Sequence, residues 1–189
     1  MLGSQNSGSD FSLNSGGDTS VFGVNQLPDI FGGVKAKLRQ AATNAEIFTD
    51  AFGDKANTVE LQTVITQLAI GDFSQLPNIQ VISAVNMNGI NGGYDKITNH
   101  IYLSADLFSS NASPIDSILG AAGVLTEEIG HFLDRFGKDT RGDEGEIFKN
   151  SVFEYVLNAT ELKYIHQEDD RAFIRVGDEL VECQASITG

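Results

Sequence analysis

The chain has 189 residues, and its 26 acidic and 12 basic residues give a formal net charge of −14. This excess of negative charge argues against nucleic acids and anionic membrane surfaces as partners. The length suits one domain, and a hydrophobic content of 41% can fill its core. We therefore expect one domain over residues 25–185, between a flexible Ser/Gly/Asn-rich tail at 1–24 and a short tail at 186–189.

The sequence contains no run of 18 apolar residues, so we expect no membrane insertion. The polar N-terminus lacks the basic and apolar regions of a Sec signal. The single cysteine, Cys183, excludes an internal disulfide and the usual cysteine metal clusters. Because it lies in an alternating strand pattern with no nearby histidine, we expect it to be a small apolar filler.

The pattern of the N-terminal part predicts helices followed by short strands. Apolar spacing predicts one helix over 33–52 and a second from Asn57 or Thr58 to Leu68, which Gly71 ends. Residues 79–82 form the first predicted strand. The Asn- and Gly-rich stretch 86–93 predicts a turn, and further short strands are expected at 94–95 and 99–103.

A long helix follows, from Ile115 to about Phe136, with Ser113 as its cap, Pro114 at its first position and Gly137 at its end. Its apolar residues wrap most of its surface, which predicts a central helix buried on several sides. Three glycines within it suggest close approach of a neighbouring backbone: Gly120, Gly123 and Gly130.

The C-terminal part predicts two more helices and a hairpin. An acidic helix is expected from residue 143 to about Leu157, with its acids favoured by the helix dipole. A shorter helix follows Asn158. The alternating segment 172–183, interrupted by Gly177 and Asp178, predicts a β-hairpin. The predicted fold class is therefore α+β.

The central helix carries the pattern that bears most on function. Glu127 and His131 are four residues apart and share one face, with Glu128 beside them. This is the layout of H-E-x-x-H, in which two ligands at i and i+4 bind zinc and the intervening Glu is the general base. Here Glu127 replaces the first His. Two carboxylates on a buried helix are costly unless they are paired or bind a cation.

Five segments together resemble a domain of cyanobacterial secreted or surface proteins that often accompanies hemolysin-type calcium-binding repeats. They are 71–77, 99–104, 127–134, 142–148 and 168–170. The central part is similar to a zincin metallopeptidase: an edge strand, an active-site helix and a downstream acidic helix. The resemblance implies a small mixed sheet with a central active-site helix, C-terminal helices and a hairpin. It also implies secretion or a cell-surface location, and further domains in a larger parent chain.

The zincin resemblance implies a metal site with one ligand from the later helix. Glu127 and His131 would bind the metal with one of three acids from that helix, and Glu128 would be the general base that activates water. The three candidates are Asp143, Glu144 and Glu146. Asp134 would orient the His131 ring or would itself be a ligand.

Zinc is the first expectation for the metal, and a carboxylate-rich ligand set also suits manganese, iron or calcium. The expected activity is metal-dependent hydrolysis, most simply of a peptide or protein. The substrate would pair with a free edge of the strand formed by Ile101, Tyr102 and Leu103.

Other interpretations remain open at this stage. The alternative hypothesis is a catalytically inactive zincin-like module with a binding or structural role in a surface protein. Its carboxylates would then hold a structural cation or pair with Arg135, Arg141 or Lys138. Glu128 and His131 also match half of a di-iron motif, whose second half is missing. The acidic segment 168–170 lacks EF-hand spacing and is expected to be a solvated turn.

Overall fold

The computed structural model describes residues 27–108, 114–136 and 142–185, which form an α+β fold of six α-helices and a five-stranded mixed sheet. The helices are α1 (Leu27–Ala41), α2 (Ala45–Phe52), α3 (Val59–Ile70), α4 (Pro114–Asp134), α5 (Glu144–Val152) and α6 (Ala159–Ile165). The strands are β1 (Asn78–Ile82), β2 (Gly92–Asp95), β3 (His100–Ser104), β4 (Arg171–Val176) and β5 (Glu179–Gln184). The predicted tails, the Ser113 cap and the Gly137 stop lie outside the described residues.

The first predicted helix is two helices in the structure. The chain turns between Ala41 and Ala45, and the Asn44 side chain accepts a hydrogen bond from the N–H of Glu46 to start α2. Asn favours this capping position over a helix interior, which explains the break. The prediction of α3 is confirmed, with Thr58 as its cap and Gly71 at φ 82° after its end.

The sheet has the strand order β1-β3-β2-β5-β4. Strand β3 runs parallel to β1 and antiparallel to β2, so hydrogen bonds occupy both of its sides. The prediction that Ile101, Tyr102 and Leu103 form an edge strand open to a substrate is therefore wrong. These side chains are also buried, because β3 is apolar enough to lie inside the sheet.

The predicted C-terminal hairpin is confirmed as β4 and β5, with Gly177 at φ 62° in the turn. It joins the main sheet through β2, where Tyr94 is paired with Gln184. The hairpin covers a small apolar cluster that contains Met87, Ile174 and Cys183. Cys183 is 2% exposed, as expected for a small apolar filler.

Helix α4 is the centre of the larger core, as predicted: every residue from 125 to 134 is buried. It crosses α5 closely, since a Cβ on Gly130 would lie 2.7 Å from the Cα of Gly145. A Cβ on Gly120, by contrast, would meet no described atom within 4 Å. None of the described helices is long and apolar enough to cross a membrane.

Helices α5 and α6 follow one another closely, and the end of α6 contacts the start of α5. Helix α5 ends at Val152, earlier than predicted, and the chain turns through Glu154 at φ 61°. Helix α6 begins with a capping box between Asn158 and Glu161. At its other end, the carbonyl of Ile165 accepts a hydrogen bond from the N–H of Asp143. The start of α5 is thereby tied to the end of α6.

Candidate metal centre

The centre of the candidate site is the fully buried His131 on α4. Its Nε2 lies 3.6 Å from Oδ1 of Asp143, and its Nδ1 lies 3.6 Å from Oδ2 of Asp170. Among the residues that the structure describes, neither ring nitrogen has a hydrogen-bond partner. Because an unsatisfied buried polar group costs about 1–3 kcal/mol, such a histidine is expected where a ligand completes the site.

Two carboxylates lie close to this imidazole on the Asp143 side. Ligand atoms of Glu127, His131 and Asp143 lie within 4.8 Å of one another, and all three residues are buried. Oxygen and nitrogen donors of this kind suit zinc as well as harder divalent ions. The residues present therefore fit a divalent cation.

The three acids predicted as alternatives for the third ligand take different positions. Asp143 caps α5 by accepting a hydrogen bond from the N–H of Glu146, and it reaches the His131 cluster. Glu144 is buried but lies outside that cluster. Glu146 is partly exposed and groups instead with Asp143 and Glu168. The geometry thus brings Asp143 to Glu127 and His131.

Lys149 on α5 forms an ion pair with Glu127 that the sequence did not reveal. The predicted partner Arg135 instead donates hydrogen bonds to the hydroxyl of Tyr94 and to Oδ1 of Asn99. The other two predicted partners, at 138 and 141, lie outside the described residues. Lys149 follows Gly145 by four residues, so it shares the helix face that meets α4.

Asp134 pairs with a different lysine. Nζ of Lys55 lies 2.5 Å from its Oδ1, and both side chains are largely buried. Since neither ring nitrogen of His131 is hydrogen-bonded, the predicted orienting bond from Asp134 is absent from the structure. Asp134 is also outside the cluster of Glu127, His131 and Asp143. The carboxylate that faces the second ring nitrogen is Asp170, which was expected to be solvated.

Glu128 lies on the sheet side of α4 and is 0% exposed. A Cβ on Gly92 of β2 would come within 2.5 Å of both Oε1 of Glu128 and Cγ1 of Val124. Only glycine leaves room for that carboxylate against the strand. Glu128 is not one of the three clustered ligand groups, although it is on the same helix.

Burial and crowding of charge shift the pKa values at the site. Burial lowers the pKa of His131, and Asp170 and Glu127 oppose that shift. Burial, reinforced by the negative charge of Glu127, raises the pKa of Asp143 to about 8. Burial alone would lower the pKa of Lys149, but the neighbouring carboxylates, led by Glu127, leave it raised. A cation bound by the Asp143 carboxylate would therefore have to displace its proton near neutral pH.

A cleft with a volume of about 590 Å³ opens beside the site. Asp170 contributes to its wall, so the group that faces Nδ1 of His131 also faces the cleft. Tyr94, Gly142 and Cys183 line it as well. None of the residues from 101 to 103 does, which separates β3 from this opening.

In comparisons with protein-family models, curated proteins and solved structures, nothing matches this chain. The class of protein that the described residues define is therefore an α+β protein with a buried carboxylate–histidine cluster able to hold a divalent cation.

Proposed function

We propose that the protein is a metal-dependent hydrolase of the zincin type, most simply a peptidase, whose metal is held by Glu127, His131 and Asp143. The observation that carries the proposal is the buried imidazole of His131, which lies in a cluster of buried carboxylates and has no hydrogen bond to any described residue at either nitrogen. Helix α4 followed by the acidic α5 matches the order of elements expected for such an enzyme.

A divalent ion bound there would supply Lewis acidity, polarising a substrate carbonyl and lowering the pKa of a water molecule. Glu128 would accept the proton of the attacking water and pass it to the leaving amine. A peptide substrate would not pair with β3, because both sides of that strand are already hydrogen-bonded within the sheet.

The metal part of the proposal is tested by Asp143→Asn. Asn keeps the size and the capping ability of Asp, so the start of α5 should persist, while the ligand charge is lost. Titration calorimetry with zinc and with manganese should show about one ion per wild-type chain and an affinity at least about tenfold lower for the variant. Asp178→Asn, in the exposed β4–β5 turn, is the control. Equal affinities of all three proteins would remove Asp143 from the site.

The catalytic part is tested by Glu128→Gln. Metal content should survive this change, while cleavage of an unstructured protein such as casein should disappear, because the amide cannot accept the proton. Wild-type protein that cleaves nothing with zinc, manganese or iron supplied would exclude the peptidase.

Two observations favour a second candidate, a non-catalytic module that holds a structural cation. Glu128 is completely buried against β2, and Lys149 already neutralises Glu127. Glu127→His separates the two proposals. A gain of zinc affinity together with new hydrolysis would support the zincin arrangement, whereas a gain of affinity alone would support the structural module.

A further inference from the structure

We infer that Asp170 is the positioning residue for His131: it holds the Nδ1–H of the imidazole and so directs Nε2 to the metal. This inference rests on the proposed metal site. It assigns a role to a segment that the sequence predicts to be a solvated turn, and it links the proposed metal site to the C-terminal hairpin.

The two nitrogens of the His131 ring have different neighbours. Nε2 faces Asp143, whose carboxylate clusters with Glu127. Nδ1 faces Asp170, which is not part of that cluster. A cation held by the cluster therefore takes Nε2, which leaves the proton on Nδ1, the nitrogen directed at the Asp170 carboxylate. Histidine ligands of metals usually donate their second N–H to such a carboxylate.

Asp170 is itself held in place by the hairpin. Its Oδ2 accepts a hydrogen bond from Nε2 of Gln184 at 3.1 Å, and its carbonyl accepts one from the N–H of Ala185 at 2.7 Å. Gln184 is in turn paired with Tyr94 of β2. The sheet thereby positions the Asp170 carboxylate beside the ring, 3.6 Å from Nδ1. We expect this distance to shorten to a hydrogen bond when the metal binds.

The backbone of α5 packs against the His131 ring and restricts its movement. A Cβ on Gly145 would lie 2.8 Å from both Cε1 and Nε2 of His131 and 2.7 Å from the carbonyl oxygen of Glu127. The backbone of α5 is therefore in contact with the ring edge. The ring is thus packed against α5 while its Nδ1 faces Asp170.

The test is Asp170→Asn in the full chain, with Asp169→Asn as the matched control. Asp169 is the adjacent residue, about two-thirds exposed, and it pairs with Arg171 rather than with the site. We expect zinc affinity to fall by about 10–100-fold in Asp170→Asn and to change less than about twofold in the control. Thermal unfolding in excess chelator measures any general loss of stability separately.

A spectroscopic signature distinguishes positioning from a purely structural role. In zinc-loaded wild type and in the control, the Nδ1–H proton of His131 should be visible by ¹⁵N-edited NMR, protected by its hydrogen bond. In Asp170→Asn it should shift or exchange away. Wild-type protein that binds zinc, with affinity and Nδ1–H signal unchanged in Asp170→Asn, would overturn this inference alone. Wild-type protein that binds neither zinc nor manganese would overturn the proposed function and this inference together.

Discussion

The candidate site needs glycine at position 145, where the structure leaves no room for a side chain. Its Cα passes so close to α4 that a Cβ would meet the carbonyl of Glu127 at 2.7 Å and the His131 ring at 2.8 Å. A backbone carbonyl cannot rotate away as the end of a flexible side chain can. Space for the imidazole is therefore provided by the neighbouring helix.

Gly145→Ala should accordingly destabilise the protein by about 1–3 kcal/mol and weaken metal binding, because the added methyl displaces His131. Gly120→Ala on α4 is the control, since its Cβ would meet nothing within 4 Å and Ala favours helix by about 1 kcal/mol. Urea denaturation with and without zinc measures both effects. A Gly145→Ala protein as stable as wild type would show that α4 and α5 are farther apart than described.

Lys149 occupies the charge position that a cation would take beside Glu127. Lys149→Met should destabilise the metal-free protein by about 1–3 kcal/mol, because it leaves a buried carboxylate without its ammonium partner. The same change should increase the stabilisation gained on adding zinc, since the ion then restores the lost positive charge. Differential scanning calorimetry with zinc or chelator measures this gain. The exposed Lys163→Met on α6 should leave the gain unchanged.

The burial of Cys183 can be tested by the rate at which its thiol is alkylated. Burial, followed by the charge of Glu128, raises the pKa of this thiol to about 12. Native protein should thus react with iodoacetamide at pH 8.5 far more slowly than unfolded protein does. The unfolded thiol ionises near pH 8.5 and the folded one near 12, so this group lowers stability as pH rises through that window. Fast alkylation of folded protein would contradict the burial.

Among the elements, α6 helps to position Asp143, the proposed ligand that caps α5. Asn158 caps α6, and the last turn of α6 accepts the N–H of Asp143. Asn158→Ala should cost about 0.5–2 kcal/mol of stability, while Asn158→Asp, which keeps the acceptor, should cost only a few tenths. Chemical denaturation compares the two. A similar loss in both variants would mean that the cap does not act through its acceptor oxygen.

The order of the strands in the sheet could not be predicted from local sequence patterns. The sequence correctly marks β3 as apolar and extended, but pairing partners are chosen by the rest of the chain. Parallel pairing with β1 and antiparallel pairing with β2 bury the strand on both sides. An edge strand and an interior strand of this length have the same local signature, since both alternate with period two.

At the scale of the whole molecule, metal binding and folding should be coupled. The proposed ligands come from α4 and the start of α5, so an ion bound by the folded chain alone stabilises it by mass action. At a free zinc concentration of about 100 times Kd, the free energy of unfolding should rise by about 2.7 kcal/mol, and chelator should reverse the effect. No change in the unfolding midpoint with zinc or manganese would count against the site.

The pH dependence of metal binding follows from Asp143, whose pKa of about 8 in the metal-free protein means that it carries a proton at pH 7. The metal must displace that proton, so affinity should rise from pH 6 to about pH 8 and then level off. Calorimetry in two buffers of different ionisation enthalpy should detect the released proton at pH 7. Proton release should be much smaller in Asp143→Asn.

Local patterns in the sequence were enough to place most of the elements and half of the candidate site. Caps and glycine stops fixed α3, apolar spacing marked α4 as central, and Gly177 with Asp178 placed the hairpin turn. The helical repeat put Glu127 and His131 on one face of one helix, which is a short-range property.

The groups that surround that face are set by contacts between elements, which local patterns do not predict. The crossing of α4 and α5 brings Asp143 and Lys149 to Glu127, and the hairpin brings Asp170 to His131. Pairing within the sheet also turned the predicted substrate strand into an interior one. These contacts join segments far apart in the chain, and their geometry comes from how helices and sheet share one buried volume, which no local pattern of residues encodes.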